Sequence, residues 1–174
     1  MILLAIGSNL HSKYGDRFQN IDAAILFLES YGIKVNKKSS YYENPSHPNK
    51  SDPMFINVVI QVETSLPPED LASVLIFIEE KLERRRDKKN EPRTCDIDII
   101  DYKGQTIELI YEKQKFIIPH KKLSYRNFVL YPLQEILPKW NHPISKEPIN
   151  KLIDKLSNDD KNSILKIKKN WYNK

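Results

Sequence analysis

The stretch Phe55-Ile56-Asn57-Val58-Val59-Ile60-Gln61-Val62-Glu63 alternates in polarity with a period of two residues. Its even-numbered residues are all Ile or Val and share one side, as in a β-strand with one face on a hydrophobic core. The opposite side is unusual because it begins with an aromatic residue, Phe55, and an amide, Asn57. We therefore predict a strand over residues 55–63 that has a distinctive second face.

A strand and a helix are predicted on the N-terminal side of this stretch. The apolar run 1–6 ends in Gly7-Ser8-Asn9, which predicts a buried strand running into a tight turn. Apolar residues recur with helical spacing between Asp16 and Tyr31, and Gly32 stands where a C-terminal glycine cap belongs. The chain then looks extended before it enters a polar loop rich in Asn and Pro.

A second helix and another strand are predicted on the C-terminal side. Thr64-Ser65 supplies a polar cap, prolines follow, and an apolar stripe from Leu71 to Leu82 has helical spacing. The basic segment 84–93 contains Pro92 and predicts a mobile loop. In residues 95–100, apolar side chains alternate with two aspartates, so this strand has an apolar face opposite its carboxylates.

The order strand, helix, strand, strand, helix, strand predicts an α+β fold, a ferredoxin-like βαββαβ sandwich. We expect an antiparallel sheet of about four strands, with both helices on one face and the other face free for a ligand. Additional short strands and helices are expected toward the C-terminus, with helices near residues 129–136 and 148–156.

The composition indicates one compact domain, since 40% of the 174 residues are hydrophobic. We place this domain at residues 1–156. Residues 157–174 are expected to form a charged tail, in which Ile164, Ile167 and Trp171 are predicted to lie on one side of a short helix. No apolar run approaches the roughly 20 residues of a membrane span, and the first six residues are too short and uncharged for a signal peptide. We therefore expect a cytoplasmic protein.

Cysteine content, charge and glycine spacing restrict the function further. Cys95 is the only cysteine, which excludes an internal disulfide and a cysteine-built zinc site. A net charge of +5 and a pI near 9.1 suit a phosphate-bearing partner, but also suit a solvated, lysine-rich surface. None of the four glycines begins the Gly-x-x-x-x-Gly-Lys pattern of a Walker A loop.

Asp96 and Asp98 are the leading candidates for chemistry. Residues i and i+2 of a strand share a face, with Cβ atoms roughly 6–7 Å apart, and Asp is a poor strand former. Two adjacent carboxylates need a cation, and oxygen ligation suits Mg²⁺, which completes its shell with water and substrate phosphates. Two such ions on one pair of carboxylates would suit an enzyme that transfers a phosphate-containing group. The alternative is a pair of exposed carboxylates without a ligand.

Cationic side chains bracket this pair and indicate a metal–polyphosphate complex. They are Arg84, Arg86, Lys88, Lys89 and Arg93. Arg85, by contrast, is interpreted as a partner of the helix dipole. The sequence leaves two interpretations of Glu79: it is a surface carboxylate, or it binds an organic hydroxyl group.

Four segments in a fixed order resemble one known family. They are Phe55-Ile56-Asn57, Ile78-Glu79 with Arg84-x-Arg86, Pro92-Arg93-Thr94-Cys95-Asp96-Ile97-Asp98-Ile99, and the stretch from Pro119-His120 through Arg126-Asn127-Phe128 to Ile136. They resemble 6-hydroxymethyl-7,8-dihydropterin pyrophosphokinases, which move a pyrophosphoryl group from ATP to a pterin alcohol in folate biosynthesis. The resemblance extends from Ala5 to about Leu156.

The resemblance implies that Asp96 and Asp98 hold two Mg²⁺ ions against the phosphates of ATP, with Arg84 and Arg93 as further catalytic residues. Nucleotide contacts are implied for Glu79, Arg84, Arg86, Lys89, Arg93, Ile99, Lys115, His120 and Arg126. The reaction would be in-line attack of the pterin hydroxymethyl oxygen on the β-phosphorus of ATP, with AMP leaving. No general base is identified, although one of the aspartates is a candidate.

The resemblance also implies a pterin site. The ring would stack between Phe55 and Phe128 beside Pro45, while Asn57 would hydrogen-bond its polar edge. A flat heteroaromatic ring gains about 0.5 to 1.5 kcal/mol from a well-placed aromatic partner beyond area burial. An amide can match its alternating donors and acceptors.

Three features depart from the family pattern. Glu83 stands where Gly commonly precedes the spaced arginines, Ile76 replaces a Gln, and Lys88-Lys89-Asn90 occupies a loop that often carries Arg and Trp. We expect activity to be retained, with closure of the loop weaker or arranged differently. A catalytically weak relative that serves as a binding partner is one alternative.

A ferredoxin-like nucleic-acid-binding domain is the other alternative, suggested by the basic charge. Asp96 and Asp98 on the ligand face would repel a phosphate backbone unless metal were bound. We therefore expect ATP and the pterin as partners, no nucleic acid or membrane, and a monomer.

Overall fold

The computed structural model describes residues 1–84, 91–111 and 114–167. Its strands are β1 (Ile2–Ser8), β2 (Lys34–Lys38), β3 (Tyr42–Asn44), β4 (Phe55–Glu63), β5 (Asp96–Tyr102), β6 (Ile107–Tyr111), β7 (Gln114–Ile118) and β8 (Leu165–Lys166). Its helices are α1 (Arg17–Ser30), α2 (Pro68–Lys81), α3 (Asn127–Ile136), α4 (Ile149–Asp154) and α5 (Asn158–Asn162). The described helices include none with the length and apolar character that a membrane span requires.

The main sheet is antiparallel and is built around β4, the strand predicted over residues 55–63. The order is β5-β1-β4-β3-β8, and β2 pairs with the second half of β4. The prediction of about four strands was too low, since the described part of the chain contributes six strands to this sheet. Part of the reason lies at Ser39, where the extended segment divides into β2 and β3. Its hydroxyl oxygen accepts a hydrogen bond from Val59 N at 3.0 Å in place of a backbone carbonyl.

Helices α1 and α2 cover one face of this sheet, as predicted. Asp16 caps α1 in a capping box with Gln19, and Gly32 follows the helix with a φ of +74°. Helix α2 begins without a side-chain cap at Pro67, so the polar cap predicted at Thr64-Ser65 was wrong. The strands supply the other half of this core: Ile2, Leu4, Ile6, Ile56, Val58, Ile60, Val62, Ile97 and Ile99.

The second face of the sheet is not free throughout, which corrects the prediction. Leu3, Val59 and Ile100 are apolar residues on this face, and they are fully buried against α3 and α4. The two predicted C-terminal helices therefore form a second core on half of this face. Phe55, Asp96 and Asp98 are partly exposed on this face, near the ends of β4 and β5.

The remaining elements lie at the margins of the sheet. Strands β6 and β7 form a hairpin whose apolar side contacts α2. The C-terminal segment contains the short helix α5, but Ile164 and Ile167 flank strand β8 instead of lining a helix. Residues 85–90, in the predicted mobile basic loop, lie outside the described residues, as does Trp171.

Candidate active site

One row of residues across three strands joins the two groups of predicted site residues. Asp96 on β5 pairs with Gly7 on β1, and Gly7 pairs with Asn57 on β4. Residues paired in this way share a face of the sheet. Asp96 therefore lies on one side of Gly7 and Asn57 on the other, and Gly7 has no side chain to separate them.

Gly7 belongs to strand β1, so its assignment to a turn was wrong. A Cβ atom at this position would lie 2.8 Å from Asn57 Oδ1 and 3.6 Å from Phe55 Cδ1. Glycine is thus required by its neighbour across the sheet, because any side chain would displace the Asn57 amide. Sequence reasoning missed this role.

Asp96 is held by two arginines. Arg84 Nη1 donates to Asp96 Oδ1 at 2.5 Å, and Arg93 Nη1 lies 3.0 Å from Asp96 Oδ2. Burial alone would raise the pKa of the Asp96 carboxyl, but Arg84 and then Arg93 hold it below its ordinary value. Asp96 is therefore a carboxylate at neutral pH, and both of its oxygens have cationic partners.

Asp98 has its own arginine. Arg126 Nη1 donates to Asp98 Oδ2 at 2.7 Å, and Arg126 Nη2 lies 3.1 Å from His120 Nε2. The other ring nitrogen of His120 accepts a hydrogen bond from Lys122 N at 2.9 Å. Burial and the Arg126 charge lower the pKa of His120, which favours the neutral ring.

Glu79 is buried at the base of the carboxylate side, so the interpretation as a surface carboxylate was wrong. It is 2% exposed, accepts a hydrogen bond from Ile97 N at 2.7 Å, and forms an ion pair with Arg84. Burial alone would lower the pKa of Arg84, but Asp96 and Glu79 reverse this and raise it. Glu79 therefore anchors the guanidinium that reaches Asp96.

The predicted stacking residues lie under the same arginines. The Arg93 guanidinium carbon is 5.3 Å from the centre of the Phe55 ring, and that of Arg126 is 5.5 Å from the centre of the Phe128 ring. Each arginine therefore links one aspartate to one aromatic ring, by an ion pair on one side and a cation–π contact on the other.

Asn57 is fixed by a neighbour that sequence reasoning missed. Its Nδ2 donates to Asn44 Oδ1 at 2.5 Å, and Asn44 Nδ2 donates to the carbonyl of Pro45 at 2.9 Å. Asn44 is the last residue of β3 and lies opposite Phe55 on β4. The strand pairing thus brings Asn44, Pro45, Phe55 and Asn57 together.

Asn9 is a second missed residue, and it joins the segments that precede Phe55 and Asp96. Its Oδ1 accepts from Arg93 N at 2.6 Å, and its Nδ2 donates to Pro53 O at 2.9 Å. Within the described part of the chain, the buried Arg93 Nε has no hydrogen-bond partner. A bound ligand is one way to satisfy such a group.

A cavity of about 740 Å³ opens beside Arg84 and Arg93. Its lining also includes Leu10, His11, Glu83, Glu91, Pro92 and Thr94. A space of this size can hold a small organic ligand. The two arginines therefore face both a cavity and the Asp96 carboxylate.

Other predicted nucleotide contacts lie away from this cluster or outside the described residues. The Ile99 side chain is buried in the core, and Lys115 forms an ion pair with Glu108 on the β6–β7 hairpin. Arg86 and Lys89 fall among the residues that the structure does not describe. No described contact therefore brings these four side chains to the aspartates.

Two departures from the family pattern have local explanations. Ile76 is buried with Leu109 and Phe116, so it packs the hairpin against α2. Glu83 has a φ of +65°, a left-handed conformation that costs a non-glycine residue about 1 kcal/mol. Its Oε2 accepts a hydrogen bond from Lys13 N at 3.0 Å, which ties the end of α2 to the loop after β1.

The donor set at Asp96 and Asp98 fits Mg²⁺, since it offers carboxylate oxygens alone. Within residues 1–84, 91–111 and 114–167, no group of three or more His, Cys, Asp or Glu side chains is arranged to hold a metal. Water or substrate oxygens would therefore have to complete the shell of any ion held there.

Comparison with known proteins identifies relatives over most of the chain. Residues 3–138 match the family model described as 7,8-dihydro-6-hydroxymethylpterin-pyrophosphokinase (HPPK). The chain is 35% identical to the 2-amino-4-hydroxy-6-hydroxymethyldihydropteridine pyrophosphokinase of Synechocystis, over 88% of this chain and 75% of that protein. It is also 35% identical to the enzyme of that name from Aquifex aeolicus, over 85% of this chain and 87% of that protein.

Longer proteins also match. The folic acid synthesis protein fol1 of Schizosaccharomyces pombe is 34% identical over 88% of this chain, which spans only 20% of that protein. The crystal structure of a Plasmodium falciparum HPPK-DHPS variant with pterin and p-hydroxybenzoate has a TM-score of 0.71 at 16% identity. That match covers 88% of this chain and 43% of the other, and shows a shared fold.

Proposed function

Because the chain belongs to the 7,8-dihydro-6-hydroxymethylpterin-pyrophosphokinase family, we propose that it transfers pyrophosphate from ATP to 6-hydroxymethyl-7,8-dihydropterin. Members of this family are ATP-dependent pyrophosphokinases of folate synthesis. The products would be AMP and the pterin diphosphate. The observation that best supports this proposal is the row Asp96–Gly7–Asn57, which sets a carboxylate and an amide on one face of the sheet with only a glycine between them.

On the nucleotide side, Asp96 and Asp98 would hold two Mg²⁺ ions. Such ions would neutralise charge on the phosphate oxygens of ATP. Arg84, Arg93 and Arg126 would exchange their aspartate partners for phosphate oxygens. Further contacts to ATP are proposed for Glu79, Arg86, Lys89, Ile99, Lys115 and His120, with Ile99 contributing its backbone because its side chain is buried.

On the acceptor side, the pterin ring would lie between Phe55 and Phe128. To enter, it would replace the guanidinium groups of Arg93 and Arg126 over those rings, which frees both arginines for phosphate. Asn57 would hydrogen-bond the polar edge of the ring, and Pro45 would border it. The Asn44–Asn57 hydrogen bond supports this assignment, since it holds the amide in a fixed orientation.

The transfer would be an in-line displacement. The hydroxymethyl oxygen would attack the β-phosphorus and release its proton, a new phosphorus–oxygen bond would form, and the bond from the β-phosphorus to the oxygen that bridges it to the α-phosphorus would break as AMP leaves. Catalysis would then rest on positioning and on neutralising charge. The arginines would supply positive charge, and the acceptor would lie beside the phosphates along the row across β5, β1 and β4.

Two further expectations accompany this proposal. The order β5-β1-β4-β2 with α1 and α2 on one face supports a ferredoxin-like arrangement of β1, α1, β2, β4, α2 and β5. A cytoplasmic location and a monomeric state stay predictions.

AMP release from ATP, the pterin alcohol and Mg²⁺ tests the proposed function. We expect release by the parent protein and a loss of about a hundredfold or more in Asp96→Ala and Asp98→Ala. Asp154→Ala removes an exposed aspartate on α4 and should retain activity. A folded parent protein that releases no AMP across a range of Mg²⁺ concentrations would refute the proposal.

A further inference from the structure

The C-terminal segment 157–167 lies beyond the part of the chain that matches the family, which ends at residue 138. Its strand β8 pairs with β3, with Leu165 opposite Glu43 and Lys166 opposite Tyr42. Just after β8, Ile167 N donates to Tyr41 O at 2.8 Å. The segment therefore extends the main sheet by one strand.

This pairing supports the strand that carries Asn44. Strand β3 has three residues and lies between β4 and β8, and its last residue accepts the hydrogen bond from Asn57. A strand this short opens easily when one of its sides is left unpaired. Strand β8 therefore restrains Asn44 through its backbone neighbours on β3.

A second link joins the segment to the start of α3. Asn127 is 6% exposed, and its Nδ2 donates to Asp160 O at 2.6 Å and to Ser163 Oγ at 3.0 Å. Its Oδ1 accepts from Phe128 N at 2.7 Å. One buried amide thus connects α5 and the residue that follows it to Phe128, which carries the aromatic ring.

A third link closes the arrangement through Glu135 on α3. Lys166 Nζ lies 3.3 Å from Glu135 Oε1, and Tyr42 Oη donates to Glu135 Oε2 at 2.8 Å. Strand β8, strand β3 and helix α3 are therefore fastened to one another by side chains as well as by backbone pairing.

We infer that residues 157–167 are a positioning segment for the acceptor side of the active site, which rests on the pterin site proposed above. The segment holds Asn44 on β3 and Phe128 on α3 in place, so the walls of the pterin slot are ordered before the ring replaces the arginine groups that cover Phe55 and Phe128. A preformed slot avoids the entropic cost of ordering its walls during binding. The links named above reach Asn44 and Phe128, whose contacts lie on the acceptor side, so the main effect falls on the affinity for the acceptor.

Two substitutions in the full chain break the links separately. Asn127→Asp keeps an oxygen for Phe128 N but removes the donors to Asp160 and Ser163. Ile167→Pro removes the donor to Tyr41 O. Matched controls are Asn162→Asp, which adds a charge at an exposed position of α5, and Ile167→Val, which keeps the backbone donor.

The measurement is the dissociation constant of the pterin alcohol in the presence of Mg²⁺ and a non-hydrolysable ATP analogue, beside that of the analogue itself. Each variant should weaken pterin binding about fivefold, the size of one lost hydrogen bond. The dissociation constant of the ATP analogue should stay within about twofold of the parent value. The kcat at saturating pterin should also stay within about twofold of the parent value. The controls should match the parent protein.

Unchanged pterin affinity in the folded variants, or a parallel loss of affinity for the ATP analogue, would overturn the inference. If either variant fails to fold, the milder Ser163→Ala and Lys166→Ala should shift pterin affinity in the same direction, and no shift would overturn it equally. A parent protein that binds no pterin would instead refute the proposed function, so the two failures are distinguishable.

Discussion

Gly7 and Asn57 face each other across β1 and β4, and a Cβ atom on Gly7 would approach Asn57 Oδ1 to 2.8 Å. We predict that Gly7→Ala displaces the Asn57 amide, weakens pterin binding about tenfold and destabilises the fold by about 1–3 kcal/mol. Calorimetric titration and urea unfolding measure the two effects. Adding Asn57→Ala removes the clash and should recover part of the stability. If the double variant recovers no stability, the destabilisation by Gly7→Ala does not arise from the contact with Asn57.

Substitution of Glu79 should reveal the energy of a buried ion pair. Glu79→Ala leaves Ile97 N without its acceptor and Arg84 without one of its carboxylates. We expect a loss of about 3–5 kcal/mol in the free energy of unfolding, and a smaller loss of about 1–3 kcal/mol for Glu79→Gln. The exposed Glu80→Gln on the same helix is the control in urea unfolding. A loss below about 0.5 kcal/mol for Glu79→Ala would be typical of a surface residue and would contradict this interpretation.

The single cysteine should be inert in the folded protein. Cys95 is 0% exposed, and burial, together with Glu79 and Asp96, raises the pKa of its thiol. Reaction with a coloured thiol reagent at pH 7 should therefore be slow in buffer and fast in concentrated urea, since the exposed thiolate is the reactive form. Equal rates under the two conditions would show that β5 opens readily.

Stability should depend on pH through Glu135. Burial alone would raise the pKa of this carboxyl, but hydrogen bonds from Tyr42 and Ser40 and the Lys166 charge lower it. A lowered carboxyl pKa stabilises the fold above the pKa of the unfolded chain, and this contribution is lost as pH falls through the folded pKa. The stability difference between the parent and Glu135→Gln should therefore be constant above about pH 5 and shrink below about pH 4.

Urea unfolding at several pH values measures this difference, with the exposed Glu29→Gln as the control. A difference that is the same at about pH 3.5 and pH 7 would show that the charge of Glu135 is not what stabilises the fold.

Local periodicity was sufficient to predict the elements that form the first core. Strands β4 and β5 and helices α1 and α2 each bury a regular apolar face, so their positions follow from residues close together in sequence. The same regularity identified Asp96 and Asp98, because two carboxylates in an apolar strand are exceptional. The pairing of Asp96 with Arg84 and Arg93 agrees with the charge pattern around it, whereas Arg126, the partner of Asp98, was implied only by the family resemblance.

The missed features depend on partners far away in sequence. Gly7 resembled a turn residue because glycine commonly ends a strand, and only the register with β4 shows why a side chain is excluded there. Asn9 and Asn44 occur in segments that resemble ordinary loops, yet their amides contact Arg93 and Asn57. Strand β8 is two residues long, too short for any periodic signal, and it forms because β3 offers it an edge.

The arginines paired with Asp96 and Asp98 are counter-ions supplied by the protein itself. Because folding already balances these carboxylates, we expect a chelator to leave the unfolding curve unchanged. A divalent cation that binds alone must compete with Arg84, Arg93 and Arg126 for the two aspartates. A cation that binds together with a polyphosphate brings an anion that can pair with these arginines once they leave the aspartates. Cation and polyphosphate would then enter together, in a single exchange of ion pairs that keeps the site neutralised throughout.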